Sequence, residues 1–445
     1  MKLSIKKALF VIVFFNLFFN TYILNSKYDY FSDIPFTTRA IISITLPVFL
    51  FLIIQFGYKA DNLYLNLSLI IYLSFSIYMY SNIEIVYFWD SIPDARTYKN
   101  LGESLFDCRK LSISCSDEPY LIFPIFQPFI SGIYSKYFFS YAYFFNTLMI
   151  TSVMWMISKI TQHFYVHSSF IGMFFLLSHS LVFELTPMII SEVTFTFLLF
   201  SSIYLLIRNN KNDAQLSSIF YALALLTRPI GISLFPLYLF LNKKKKIALV
   251  IIIFIVSFAA IFNFFTSSQF IISDFNIDAR EDALFENSGY IDYFKKLLFS
   301  DNDVRSQFFS FFSDNYFRLY GESSKDCVFE ETCFFYNPKY STDGNISSYF
   351  NNSSVGKYIE KYLIFLYELR SPQSFGIFIL PTILICTFLF KRFKVERLFS
   401  FSVICLIFPS LLTVEYGNRW NFTITFLLAL IIEMITSNIM FKQKQ

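Results

Sequence analysis

Two acidic residues lie where an apolar run gives way to a polar segment, and their types and spacing suit proton transfer. Asp90 and Asp94 are separated by Pro93, and Tyr98 follows four residues after Asp94. Proline favours the first turn of a helix, which puts Asp94 where the helix dipole stabilises a carboxylate, with Tyr98 one turn further on the same face. A carboxylate in this position can deprotonate a sugar or protein hydroxyl. It can equally serve as a simple helix cap.

Three further charged residues fall inside or beside apolar runs. Glu192 lies just within one run, Arg228 lies at a Pro/Gly break in another, and Arg419 precedes the last run. Because a charge in a span is costly and usually faces a partner, we expect Glu192 to pair with Arg228. A purely structural ion pair remains the alternative, and Arg419 has an alternative as an interfacial anchor beside Trp420. Glu433, deeper in the final run, has no assigned role.

The elements that must position these residues are membrane-spanning helices. The 445-residue chain is 55% hydrophobic, 21% aromatic and 15% charged, and it contains 62 Phe. In soluble domains roughly a quarter of the residues are charged. The composition of this chain therefore excludes a soluble enzyme, a disordered scaffold and a disulfide-stapled secreted domain. The net charge of +4 does not indicate nucleic-acid binding, because the basic residues are sorted by membrane side rather than gathered in a patch.

Apolar runs of spanning length are numerous. They lie near 8–25, 40–57, 62–87, 137–159, 168–186, 188–207, 247–267, 373–390, 398–414 and 421–440. One further run, 216–241, is broken at 227–231, and we expect it to dip into the bilayer and return. The basic clusters at 243–246 and 391–397 then both face the cytoplasm, as the positive-inside rule requires.

The sequence therefore predicts an all-α polytopic membrane protein with about ten transmembrane helices, one re-entrant helical hairpin and a mainly helical exoplasmic loop domain. We divide it into four parts. These are an N-terminal two-span hairpin (1–61), a transmembrane core (62–267), an exoplasmic loop domain (268–371) and C-terminal spans (372–445). The core holds the candidate catalytic residues, and it includes outer loop 88–136 and re-entrant hairpin 216–241. Both termini are expected in the cytoplasm, with an uncleaved signal anchor at the start, in a bacterial inner or plasma membrane.

The six cysteines fit this arrangement. Cys108 and Cys115 fall in one outward segment, Cys327 and Cys333 fall in the other, and the remaining two lie within spans. Two short-range exoplasmic disulfides suit an oxidising compartment, with free thiols as the alternative.

Metal and nucleotide motifs are missing from the sequence. His163, His167 and His179 have no Cys or acidic neighbours that would complete a metal site, and no Gly-rich phosphate loop occurs. The sequence therefore does not identify a cofactor. A divalent metal is one option, although the sequence contains no motif for it.

In their order along the chain these landmarks resemble the GT-C superfamily of membrane glycosyltransferases, which includes protein O-mannosyltransferases and the aminoarabinose transferase of lipid A. The matching pieces are Asp94 with Tyr98, the Pro-rich stretch 123–128, Ser191 with Glu192, the turn 226–231 and Arg419. The similarity covers 85–240 well and the remainder by layout only. Two extra spans precede the family start, and no Asp-x-Asp or Asp-Glu pair adjoins the third span.

The resemblance implies a polyprenyl-phosphate sugar donor and action on the exoplasmic face. Under it Asp94 is the general base on the acceptor hydroxyl, with Asp90 as the alternative, and Tyr98 belongs to the substrate site. Arg228 and Arg419 neutralise the departing lipid phosphate, while Glu192 orients Arg228 or holds the sugar. The expected partners are the lipid-linked donor, a glycan, lipid or protein acceptor, and the bilayer, with no nucleic acid.

Two other functions are open. An O-antigen polymerase or ligase also uses lipid-linked sugars, and it would depend on Arg and His in the large outer loop. A flippase or transporter of lipid-linked sugars needs charges along a path through both leaflets. The embedded charges here concentrate in the outer half, with Glu433 as the main exception, which favours the transferase.

Overall fold

The structure is a computed structural model, and it describes residues 62–81, 85–90, 93–112, 114–117, 125–178, 182, 185–208, 210, 212–267, 380–390, 392–412 and 421–441. The predicted spans at 8–25 and 40–57, the loop domain 268–371 with its two cysteines, and Arg419 lie outside these residues.

The described chain is mostly helical, and it contains no strand within the described ranges. We number its α-helices in chain order: α1 Asn62–Ser81, α2 Ile85–Asp90, α3 Pro93–Asp107, α4 Phe126–Tyr137, α5 Ala142–Phe164, α6 Ile171–Ser178, α7 Ser191–Arg208, α8 Asp213–Thr227, α9 Phe235–Leu241, α10 Lys245–Ser267, α11 Leu380–Leu389, α12 Lys394–Leu412 and α13 Asn421–Met440.

Three of these helices are long and apolar enough to cross a membrane. Their spanning segments are Ser191–Arg208, Lys245–Phe265 and Phe422–Met440. The described part of the chain thus holds fewer such helices than the ten spans that the apolar runs predict. Helix α5 is not among the three, and it carries hydroxyl side chains such as Thr147 and Thr151 that bond to carbonyls one turn back in the same helix. The helix described in the 168–186 run is only the eight-residue α6.

Helices α5, α7 and α13 run side by side in the same direction, so the bundle has two distinct ends. Thr196 of α7 bonds to Thr423 of α13 at 2.7 Å between their hydroxyl oxygens, and both lie near the start of their helices. Asn146, near the start of α5, donates to the carbonyl of Met188 just before α7 at 2.6 Å. We call this the Glu192 end. At the opposite end, the Glu396 end, the side chain of Asn438 donates to Glu396 Oε1 at 2.9 Å.

Helices α8 and α9 form a hairpin that turns back at the predicted break. Helix α8 ends at Thr227, a 3-10 turn covers Pro229–Leu234, and α9 follows directly. Tyr238 of α9 stacks on Tyr221 of α8 with ring centroids 4.1 Å apart, and its hydroxyl donates to Ser218 at 2.9 Å. The start of α8 and the end of α9 therefore lie together, and the lysines at 243–246 share the Glu396 end with those around Lys394.

An ion pair closes the short connection between α7 and α8 at this end. Arg208 donates from Nε and Nη2 to the two carboxylate oxygens of Asp213, at 2.8 and 2.6 Å. The backbone N–H of Asn210 also donates to Asp213, at 2.8 Å. These bonds, with Arg208 foremost, hold the pKa of Asp213 below its usual range. The connection therefore stays compact without a longer loop.

Glu433, which has no assigned role in the sequence, caps a helix of another segment. Its buried carboxylate accepts hydrogen bonds from the backbone N–H groups of Phe170 and Gly172, the latter at 2.7 Å, and from the hydroxyl of Ser168. The first N–H groups of a helix have no partner within it, so a carboxylate there satisfies them and complements the dipole. Glu433 thus fixes the start of α6 on α13.

Helices α3 and α4 cross at a pair of glycines. A Cβ atom on Gly102 would lie 2.4 Å from the backbone nitrogen of Gly132 and 2.5 Å from the carbonyl oxygen of Pro128, so only glycine permits this approach. Beyond α3, the predicted disulfide between Cys108 and Cys115 is present, with their Cα atoms 5.7 Å apart.

We predict that Glu433→Ala destabilises the fold, because it leaves buried N–H groups of α6 without acceptors, at about 1–3 kcal/mol for each group. The melting temperature of the purified protein in detergent measures this effect. Glu433→Gln retains one acceptor oxygen and should lie between the wild type and the alanine variant. An alanine variant that melts like the wild type would show that the carboxylate does not hold α6.

We also predict that single cysteines placed at Lys245 and Lys394 share one pattern of labelling in intact cells, and that a cysteine at Tyr137 shows the opposite pattern. The reason is that the first two positions lie at the Glu396 end, and the exposed Tyr137 precedes α5 at the Glu192 end. A membrane-impermeant thiol reagent, applied before and after permeabilisation, measures accessibility in a background without reactive native thiols. Opposite patterns at Lys245 and Lys394 would contradict the arrangement of the hairpin.

Candidate functional site

The residues predicted around Glu192 meet in one buried cluster at the Glu192 end. Arg228 Nη1 lies 2.5 Å from Glu192 Oε1, so the expected ion pair is present. The other carboxylate oxygen, Oε2, accepts from the Ser191 hydroxyl at 3.3 Å, and the Ser191 oxygen accepts from the Tyr98 hydroxyl at 3.2 Å. We call these four residues the Tyr98–Arg228 network. It joins α3, α7 and the hairpin turn.

The backbone explains why Arg228 reaches Glu192. Arg228 follows the last residue of α8 in an extended conformation, with φ −146° and ψ 113°, and Pro229 starts the 3-10 turn. The turn is fixed by the Tyr221 hydroxyl, which donates to the carbonyl of Gly231 at 2.7 Å. Gly231 also packs against the ring of Phe195, one turn after Glu192 on α7. The guanidinium of Arg228 is therefore held near the start of α7 by a hydrogen-bonded 3-10 turn.

Burial makes the network electrostatically demanding. The side chain of Glu192 is 5% exposed and that of Arg228 is 12% exposed. An isolated carboxylate this deeply buried would be expensive, and the guanidinium and the Ser191 hydroxyl compensate for its lost hydration. The acid at the first turn of α7 also lies at the positive end of that helix dipole. This arrangement holds one cation at a fixed point.

The candidate bases are placed only by their backbones. Asp94 is the second residue of α3, so the predicted helix start at Pro93 is confirmed, and Asp94 precedes Tyr98 by about one turn. Asp90 is the last residue of α2. The side chains of both lie outside the described part of the chain. Arg419 is also outside it, although α13 begins two residues later, at Asn421.

Aromatic packing holds the segment that leads to Asp90. Trp89 is completely buried, its ring stacks on Phe139 with centroids 5.3 Å apart, and its indole N–H donates to the Phe139 carbonyl at 3.4 Å. The Lys99 ammonium lies 5.2 Å from the centroid of the Phe139 ring. The end of α2 is thus tied to the chain that enters α5. The sequence analysis assigns no role to Trp89.

Sequence reasoning also missed the bridging role of Ser191. The Ser-Glu pair was noticed as a motif, but a serine hydroxyl gives no signal of the tyrosine that will contact it 93 residues away. Within the described residues, no group of three or more His, Cys, Asp or Glu side chains is arranged to hold a metal ion.

Comparisons with known proteins add no relative. No family model, curated protein or solved structure matches the chain.

We predict that Glu192 and Arg228 are strongly coupled energetically. The test is a double-mutant cycle of Glu192→Gln and Arg228→Gln. Because each single change leaves a buried charge unpaired, the double variant should lose less stability than the two single variants lose together. The expected coupling energy is about 1–3 kcal/mol. Thermal unfolding in detergent measures it.

The matched control is the exposed pair of Asp107 and Lys136, whose charged atoms are 3.1 Å apart. Exposed pairs couple by about 0–1 kcal/mol. If the Glu192–Arg228 cycle is no larger than this control, then the ion pair does not anchor the hairpin turn.

Proposed function

We propose that the chain is a membrane glycosyltransferase of the GT-C type, which moves a sugar from a polyprenyl-phosphate donor to an acceptor hydroxyl on the exoplasmic face. The observation that carries the proposal is the Tyr98–Arg228 network, which gathers a fixed cation, a carboxylate and two hydroxyls at the end of the bundle opposite both basic clusters. In the positive-inside arrangement that end faces outward.

The chemistry asks for two groups. The acceptor oxygen attacks the anomeric carbon, the bond from that carbon to the phosphate oxygen breaks, and polyprenyl phosphate leaves with the bonding electrons. A carboxylate takes the proton of the acceptor hydroxyl, and a cation stabilises the negative charge on the leaving phosphate. We assign the first role to Asp94, with Asp90 as the alternative, and the second to Arg228 and Arg419.

The placement of these residues supports the assignment. Tyr98, one turn after Asp94, contacts the residue that precedes Glu192, so α3 is anchored within the network that carries Arg228. Glu192 orients the guanidinium, whose forked N–H groups suit a phosphate. The full architecture of about ten spans with the hairpin as a re-entrant element, the bacterial inner or plasma membrane, and loop 268–371 as the cover for the acceptor belong to the same proposal.

We predict that Asp94→Asn abolishes sugar transfer, with a loss of about a hundredfold or more, because the amide cannot accept the acceptor proton. The purified protein is incubated in detergent with a radiolabelled polyprenyl-phosphate sugar and an acceptor, and released polyprenyl phosphate is measured. Donor binding and expression should not change. Asp107→Asn, an exposed acid on the same helix, should transfer like the wild type.

Two results would count against this assignment. Full turnover by Asp94→Asn would move the role of base to Asp90, and full turnover by variants of both acids would remove it from this segment. Turnover of a nucleotide sugar without any lipid carrier would contradict the proposed function itself.

A further inference from the structure

Gln127, near the start of α4, is a buried polar residue that the proposed function does not use. Gln127 is only 1% exposed, and its amide nitrogen donates to the Ser131 hydroxyl at 3.4 Å. The amide oxygen, Oε1, is buried and has no hydrogen-bond partner among the described residues. Whichever way round the amide is assigned, one of its polar ends is satisfied by Ser131 and the other is not.

Such an atom is costly for the fold. A buried acceptor without a donor loses about 1–3 kcal/mol of hydration, and buried polar groups in native proteins nearly always have a partner. A leucine or methionine would fill the same space without this cost. A donor that arrives with a ligand would offset this cost.

The packing of α4 places Gln127 beside the Tyr98–Arg228 network. On one side Ile125 packs in a cluster with Leu226, two residues before Arg228. On the other side the carbonyl of Pro128 lies against Gly102, one turn after Tyr98 on α3. The backbone of Gln127 therefore lies between the segment that carries Arg228 and the turn that follows Tyr98.

The chemistry of the residue complements that of Arg228. A guanidinium recognises the phosphate of a lipid-linked sugar, whereas a neutral amide oxygen recognises a hydroxyl. In the donor the sugar ring is bonded directly to the phosphate, so the ring must lie next to the phosphate site. A protein group that accepts a hydrogen bond from a ring hydroxyl must therefore also lie there. A site built to bond a hydroxyl also rejects ligands that lack one, because its buried acceptor then stays unpaired.

We propose that Gln127 Oε1 accepts a hydrogen bond from a hydroxyl of the donor's sugar ring and thereby selects sugar-bearing polyprenyl phosphate over polyprenyl phosphate alone. The inference rests on the proposed function, and it assigns to this residue a role in binding and specificity. A hydroxyl of a glycan acceptor has the same chemistry, so the test must separate the two sources.

The experiment measures the binding of two probes in detergent, in the absence of acceptor: polyprenyl phosphate and the same lipid carrying a hexose. The wild type should bind the hexose-bearing lipid more tightly. Gln127→Met, which keeps the volume and removes the acceptor, should weaken binding of that lipid about tenfold and leave binding of polyprenyl phosphate unchanged. Gln127→Asn, which shifts the acceptor by one methylene, should show the same selective loss if the methionine variant does not fold.

Gln215 provides a matched control. It is also a glutamine whose buried Oε1 lacks a hydrogen-bond partner within the described chain, but it lies near the start of α8 at the Glu396 end. Gln215→Met should bind both lipids like the wild type. A loss of discrimination in this variant would show that removing any buried amide perturbs the site, and it would overturn the proposal.

The remaining outcomes are distinct. If the wild type prefers the hexose-bearing lipid and Gln127→Met keeps that preference, the role of Gln127 is wrong and the proposed function stands. An equal weakening for both lipids would also overturn the role, since it indicates damage to the phosphate site. A transfer assay with acceptor separates the two sources of the hydroxyl: a Gln127→Met variant that binds both lipids like the wild type but has a raised KM for the acceptor would move the hydrogen bond from donor to acceptor and overturn the assignment made here. A wild type that binds neither lipid would contradict the proposed function instead.

Discussion

The ion pair between Glu192 and Arg228 is the interaction on which the geometry of this end of the bundle depends. A buried carboxylate needs groups that compensate for its lost hydration, and at the first turn of α7 the main one is the guanidinium of Arg228, which follows the end of α8. The Pro/Gly break after Thr227 ends that helix. The ion pair therefore ties α7 to the hairpin turn at the candidate site.

The opposite end of the bundle satisfies its buried charges in a different way. Glu433 accepts from backbone N–H groups of a separate helix, and Glu396 accepts from the hydroxyl of Tyr165 and the amide of Asn438. These carboxylates join segments that lie far apart in sequence, while the lysines at 243–246 and Lys394 are exposed. Charged groups at this end thus hold the helices together or face solvent, and Arg208, which pairs with the buried Asp213 here, is 43% exposed where Arg228 at the other end is 12% exposed.

The sequence predicts some of these features because their causes are local. A helix break follows from Pro229 and Gly231, the pairing of Glu192 follows from the cost of burying it, and a disulfide between Cys108 and Cys115 needs only a short loop. Other features depend on tertiary contacts that no local pattern encodes. The partners of Glu433 are backbone groups more than 260 residues away, so composition gives no indication of them.

The strengths of the bonds in the Tyr98–Arg228 network differ in a way that suits transfer chemistry. The cation is held by a charged contact of 2.5 Å, whereas the helix that carries Asp94 joins the network through the neutral bond of 3.2 Å from the Tyr98 hydroxyl to Ser191. Charge-assisted bonds are roughly twice as strong as neutral ones. Arg228, the residue that we propose binds the phosphate, is therefore held by the stronger contact, and α3, which carries the proposed base Asp94, joins the network by the weaker one.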